Sequence, residues 1–318
     1  MEKKILLAVD GSPKSFEAVR TVGSLLAGKG DVHLVVFHCV LQVASLSPGE
    51  LCLDVEKDCQ LPFKDQENVG NAVLARARRE LIEAGVPEGR LEFRLKTNCI
   101  DAARDIMAEA EAQKVDTIAL GRRGRGQLEA LLLGSVSGKV AHYARGMNVW
   151  IVDSPVHASR RVMIAIDGSP ESEQLTGHTI GLFGPGSNLH YTFVHIMPPL
   201  PPYLWDDGHI LAESEQSDRV SRIDKWRNDW TGKVEKIMEQ SKSLLRERNV
   251  PEQNIQTFIL PIKEGVARDL LNEITEHQFQ VVVMGKKSFG EKKPFLMGSH
   301  ANKVLQNVKG TVLCMVDE

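Results

Sequence analysis

The chain has 318 residues, with 39 Lys and Arg against 42 Asp and Glu and a formal net charge of −3. Balanced charge with no basic tail and no block of one sign points away from nucleic acid and anionic membrane surfaces and toward small ligands. No apolar run approaches the roughly 18 residues that span a bilayer, and Met1-Glu-Lys-Lys leads straight into a strand pattern, so the expectation is a cytoplasmic protein with no membrane partner.

The elements follow one another as strand and helix in strict alternation. Lys4 to Val9 is an apolar run that stops at Asp10-Gly-Ser-Pro13, where Ser12 before Pro13 has the form of a helix N-cap with proline at the first helical position. A helix is expected to about Ala27, then a strand over Val32 to Val40, a helix over Asp65 to Ala84 and a strand over Leu91 to Lys96. Asn98 is expected to cap a third helix that ends near Gln113. Val115 to Leu120 reads as the fourth strand, Gly134 to Ala144 as the fourth helix, with Val136, Val140, Ala141 and Ala144 on one face, and Asn148 to Val152 as the fifth strand. Near-continuous apolar strands alternating with amphipathic helices imply a parallel sheet covered on both faces, an α/β fold.

The same order then repeats. Lys4-Ile-Leu-Leu-Ala-Val-Asp10-Gly-Ser-Pro13 answers to Arg161-Val-Met-Ile-Ala-Ile-Asp167-Gly-Ser-Pro170, and His38 to His195, 157 residues apart. Val86-Pro-Glu88, Ala103-Arg-Asp105 and Val152-Asp153 recur 164 residues later, so the second copy carries seven extra residues in between. Two tandem domains are expected, 1–155 and 156–318, each with five parallel strands. The last strands, Asn148 to Val152 and Val312 to Val316, would be bare apolar edges unless they cover one another, so the halves are expected to form an intramolecular pseudo-dimer. The long helix of the second copy, Arg219 to Arg248, spaces Val220, Ile223, Trp226, Trp230, Val234, Ile237 and Met238 as a core or interface stripe.

One spacing carries chemistry. Gly121-Arg-Arg-Gly124, nine residues and then Gly134-Ser135 stand where the fourth strand ends and the fourth helix begins. Glycines after a strand let backbone approach a ligand, and a helix N-terminus with unpaired N–H groups favours an anion. In a parallel sheet ligands bind beyond the carboxyl ends of the strands, where strand order reverses; Asp10 ends the first strand, so an adenosine laid across that crevice meets an Asp at one end and backbone amides at the other. The second copy keeps Gly285, Gly298 and Ser299 but places Ser288 at the second glycine, which describes a weaker site at Asp167, Gly285, Ser288, Gly298 and Ser299. Asp10 and Asp167 also read as ordinary helix-start residues, His38 and His195 as completing strand ends, and Arg122, Arg123 and Arg125 either as phosphate neutralisers or as solvated charges.

Other site chemistries find no support. Gly134-Ser-Val-Ser-Gly-Lys139 is one residue short of a P-loop and lacks the hydroxyl after Lys; no zinc-protease, hydrolase or paired-carboxylate motif is present. Five cysteines are read as reduced thiols, and Cys52 and Cys59 fit no zinc spacing, so no metal site and no catalytic residue are assigned.

On Gly121, Gly124, Gly134, Ser135 and the Val9-Asp-Gly-Ser12 strand end, both halves resemble the universal stress protein family, the first half its ATP-binding branch. The resemblance covers nearly the whole chain as a tandem protein. It implies a fold like that of the adenine nucleotide alpha-hydrolases, with Asp10 near adenosine and Val40 offering backbone to adenine. Gly121 and Gly124 would meet ribose and phosphate, and Gly134, Ser135, Val136 and Ser137 the terminal phosphates of ATP, with or without Mg. The function so implied is that of a stress-response regulator with nucleotide as ligand and a protein partner of unknown identity. A slow ATPase or autophosphorylating enzyme, with Ser135 and Ser137 the nearest hydroxyls, and a scaffold or small-molecule carrier are the alternatives; further homodimerisation is open.

Overall fold

The computed structural model describes residues 3–41, 63–124, 133–183, 188–204, 213–287 and 297–317. The first half runs β1 (Lys3–Ala8), α1 (Pro13–Leu26), β2 (Val32–Leu41), α2 (Phe63–Glu83), β3 (Leu91–Cys99), α3 (Ala102–Ala112), β4 (Thr117–Gly121), α4 (Ser135–Tyr143) and β5 (Asn148–Val152). The second runs β6 (Arg161–Ala165), α5 (Ser172–Phe183), β7 (His190–Ile196), α6 (Glu213–Glu247), β8 (Ile255–Leu260), α7 (Val266–Glu276), β9 (Val281–Gly285), α8 (Ser299–Asn307) and β10 (Val312–Val316).

All ten strands belong to one sheet, ordered β3-β2-β1-β4-β5-β10-β9-β6-β7-β8. Each half is parallel throughout, and alternate residues of its strands feed opposite layers: Ile5 and Leu7 pack with α1 and α2, whereas Leu6 packs with α3 and α4. Helices α5 and α6 continue the first layer and α7 and α8 the second. Full burial of such aliphatic side chains contributes about 1.5–3 kcal/mol each.

Local signals explain most element ends. Ser12 accepts a hydrogen bond from Ser15 N (3.1 Å) ahead of Pro13, as expected. Asn98 is not the cap of α3: it takes φ 61° within the last residues of β3, and the cap is Asp101, whose carboxylate accepts from Ala103 N (3.0 Å) and Arg104 N (3.4 Å). Both residue types suit a cap, and only the extended backbone at Asp101 aims its carboxylate at the first turn. Cys52 and Cys59 lie outside the described residues; among the described ones no cluster suited to a metal ion occurs.

The final strands meet as expected. β5 and β10 pair antiparallel, Val152 opposite Val312 and Trp150 opposite Cys314, and close the sheet across the two halves. Trp150 is fully buried and stacks on Phe183 of α5 at 5.5 Å between centroids. Each half also holds the other by its end carbonyls. Arg122, directly after β4, donates through Nη2 to Gln306 O (2.5 Å) near the C-terminus of α8; Lys286, its counterpart after β9, donates through Nζ to Ala144 O (2.7 Å) and Met147 O (2.6 Å) beyond α4. A cation at a helix C-terminus satisfies orphan carbonyls and opposes the negative end of the helix dipole. The pattern extends to Asp153, which accepts from Gly310 N (3.0 Å), and to Asp317, which accepts from Gly146 N.

Candidate functional site

The strand order of the first half reverses between β1 and β4, and the two sequence motifs meet there. Asp10 follows β1; its Oδ1 accepts from Ser12 N (2.9 Å), which orients the carboxylate across the crevice. Opposite it lies Gly124: a Cβ built there would run into the Asp10 carboxylate, with Cγ 3.2 Å away. No residue with a side chain fits at that approach unless Asp10 moves. Gly121, the last residue of β4, is tight for a different reason, its missing Cβ lying 3.3 Å from Arg123 O.

Gly134 forms the third side. It is the N-cap of α4 and supplies no side-chain cap, so the first-turn N–H groups of Ser135, Val136 and Ser137 have no intrahelical acceptor. The loop is fixed from below, because Gly134 N donates to Arg122 O (3.0 Å) and Ser137 Oγ donates to Arg122 O (2.7 Å) and lies 3.0 Å from Gly134 O. The hydroxyl of Ser137 is therefore buried and turned inward, leaving its amide as the outward polar group, whereas Ser135 is exposed. Val40 sits near the end of β2, half-buried, its Cγ2 3.2 Å from the Cβ position of Gly70. Residues 125–132, with Arg125 among them, lie outside the described part.

Arg122 does not face the crevice. Its side chain is 2% exposed, clamped between Asp153 (3.8 Å) and Gln306 O, so of the two outcomes open for it, phosphate neutraliser or solvated charge, neither holds. The signal was present in the sequence: Arg122 and Lys286 are both basic and both follow the first glycine of their loop.

The Universal stress protein family model matches residues 1–153 and 158–315. The chain belongs to the universal stress protein family. A universal stress protein of Mycolicibacterium smegmatis is 26% identical over 98% of this chain and 96% of its own length. A universal stress protein of Mycobacterium tuberculosis is 30% identical over 54% of this chain and 57% of its own length. Among solved structures, a universal stress protein from Archaeoglobus fulgidus superposes with TM-score 0.63 at 16% identity, covering 100% of this chain and 99% of that one. A universal stress protein of Pseudomonas aeruginosa reaches 0.59 at 15% identity, covering 99% and 93%. At such identities these two structures speak to the tandem α/β fold alone.

The second universal stress protein half keeps the frame with altered contents. Gly285 ends β9 and Gly298 N-caps α8 without a side-chain cap, with Ser299 exposed beside it, as at Gly121, Gly134 and Ser135. Asp167 is engaged locally: Oδ1 accepts from Ser169 N (2.8 Å) and Ser172 Oγ (3.0 Å). Ser288 lies outside the described residues. His38 and His195 are twins, each with Nδ1 2.6–2.7 Å from the carbonyl at the end of the neighbouring first strand, Val9 O and Ile166 O. Burial lowers the pKa of the His195 imidazole from its usual value.

Proposed function

We propose that the first half binds an adenine nucleotide, ATP, as a regulatory ligand. The observation that carries the reading is the approach of Gly124 to Asp10, which joins the two motifs into one crevice that opens onto the uncapped N-terminus of α4. A phosphate chain fits the amides of Ser135 to Ser137 and the positive end of the helix dipole. Ribose fits between Gly121, Gly124 and the Asp10 carboxylate, and the base lies toward Val40. ATP supplies negative charge at the helix terminus and a planar ring at the strand ends; ordering of the loop after Gly124 around it would present a changed surface to a partner protein in a stress response.

The regulator reading is favoured over an enzyme by the serines. Ser137 Oγ is held by Arg122 O and Gly134 O, so phosphoryl transfer to the protein would fall to Ser135, beside which no general base stands in sequence. Denaturing the purified protein and identifying released nucleotide tests the reading, together with calorimetric titration. One ATP per chain without phosphate production is expected. Phosphate release at a steady rate would favour the ATPase, and no nucleotide under either condition would favour a scaffold or carrier.

A further inference from the structure

The second crevice contains an aromatic ring of the protein's own. Helices α2 and α6 are in register 164 residues apart, since Val234, Ile237 and Leu245 are buried where Gly70, Val73 and Leu81 are buried, so position 230 answers to position 66. Residue 66 is Gln and residue 230 is Trp. The Trp230 Nε1–H donates to His195 Nε2 at 2.9 Å. Its six-membered ring lies against Gly168, where a Cβ would stand 3.2 Å from Cζ2, and Trp226 stacks on it one turn earlier at 6.0 Å and 26°.

Gly168 and His195 are the counterparts of Gly11 and His38, at the carboxyl ends of the first two strands of each half. The histidine is set for this contact. Its Nδ1 must carry the proton to donate to Ile166 O (2.7 Å), which leaves the Nε2 lone pair for the indole. A flat ring with an N–H donor is thus held against the strand ends at Gly168 and His195, two residues before Met197, the counterpart of the Val40 toward which the nucleotide reading lays a base.

We propose that the second crevice is closed by this indole: Trp230, rather than the Ser288 replacement, keeps a ligand out of the second half. The inference deepens the nucleotide reading, and its first test rests on that reading. On the full chain, ATP titration is expected to give one site for the wild type and for Ser288→Gly, and two sites for Trp230→Gln, which installs the residue type of position 66. A folded Trp230→Gln variant that still binds one ATP, or a wild type that binds two, overturns the proposal.

The second test is independent of ATP. Trp230→Ala leaves a ring-sized gap beside Gly168 and Trp226 with the His195 Nε2 acceptor at its edge, a match for a free indole with its N–H donor. Free indole is expected to raise the melting temperature of Trp230→Ala and leave the wild type unmoved. No shift in a variant with native circular dichroism overturns the plug. A wild type without ATP binding beside a Trp230→Ala variant rescued by indole would sink the nucleotide reading and keep the plug.

Discussion

The two crevices share a scaffold and differ in what fills them. In the first, the Asp10 carboxylate faces a bare glycine across the strand ends; in the second, the Asp167 carboxylate accepts from Ser172 and an indole rests on Gly168. The strand order beneath them is the same, and the starts of α4 and α8 at Gly134 and Gly298 correspond. The halves thus differ at a few side chains at the strand ends and on the second helix, set on the same sheet.

The comparison is sharpest at the joint. Trp150 and Cys314 occupy the same position of their halves and face one another across β5 and β10. Trp150→Ala is expected to lower stability by about 3–5 kcal/mol, because it empties a fully buried ring site. Cys314→Ala removes one atom and should cost far less. Urea unfolding monitored by far-ultraviolet circular dichroism measures both, and equal costs would break the asymmetry.

Lys286 and Arg122 perform the same capping with different chemistry. Burial lowers the Lys286 ammonium to about 8 from its usual 10.5. Between those values the unfolded chain holds a proton that the folded chain has released, so the Lys286 contribution to stability should rise from pH 8 to pH 10.5, by up to about 3 kcal/mol. Lys286→Met should remove that rise, whereas Arg122→Met should leave it. The difference between wild-type and Lys286→Met midpoints across this range decides, because burial raises the thiols of Cys39, Cys99 and Cys314 and adds an opposing fall common to both proteins; a difference that does not change with pH contradicts the assignment.

Gly124→Val is expected to weaken ATP binding at least tenfold, since one or two charge-assisted hydrogen bonds of roughly 1.5–3 kcal/mol each are lost when backbone and Asp10 are pushed apart. Ser288→Val should leave the measured affinity as it is. The smallest contrast lies at α3 and α7. Asp101 caps the former, while Gly265 starts the latter with no side-chain cap, and the Asp269 carboxylate accepts from Lys263 N (2.8 Å) and Glu264 N (3.0 Å). Asp101→Ala should cost about 1 kcal/mol, and Gly265→Ala should be destabilising for its φ of 124° rather than for a lost cap.

The alternating pattern made the fold legible: apolar strands of five or six residues, bounded by Asp-Gly-Ser or glycine, fall within a few residues of β1, β4 and β5, because buried parallel strands tolerate no polar interruption. The glycine spacing was legible for the same kind of reason, as each position is set by backbone geometry. The pairing of β5 with β10 could be expected from two apolar edges, but several side-chain contacts set by tertiary placement escaped. Asn98 and Asp101 are both good caps, and only the strand's exit direction chooses between them. Trp226 and Trp230 fall on the same stripe as Val234 and Ile237, and periodicity alone does not show that Trp230, packed against the core, also lies on Gly168 and donates to His195. Arg122 read as a loop cation because its partner, the end of α8, is 184 residues away.

The pairing of Trp150 with Cys314 bears on why the duplication resides in one polypeptide. Where two identical chains meet on a twofold axis, a residue on that axis meets itself, and its size is constrained by its own copy: two indoles would collide and two thiols would leave a gap. Covalent fusion lifts that constraint, because each copy is then free to change alone. Large against small, guanidinium against ammonium and Gln66 against Trp230 are all departures from symmetry that an association of identical subunits has no means to encode.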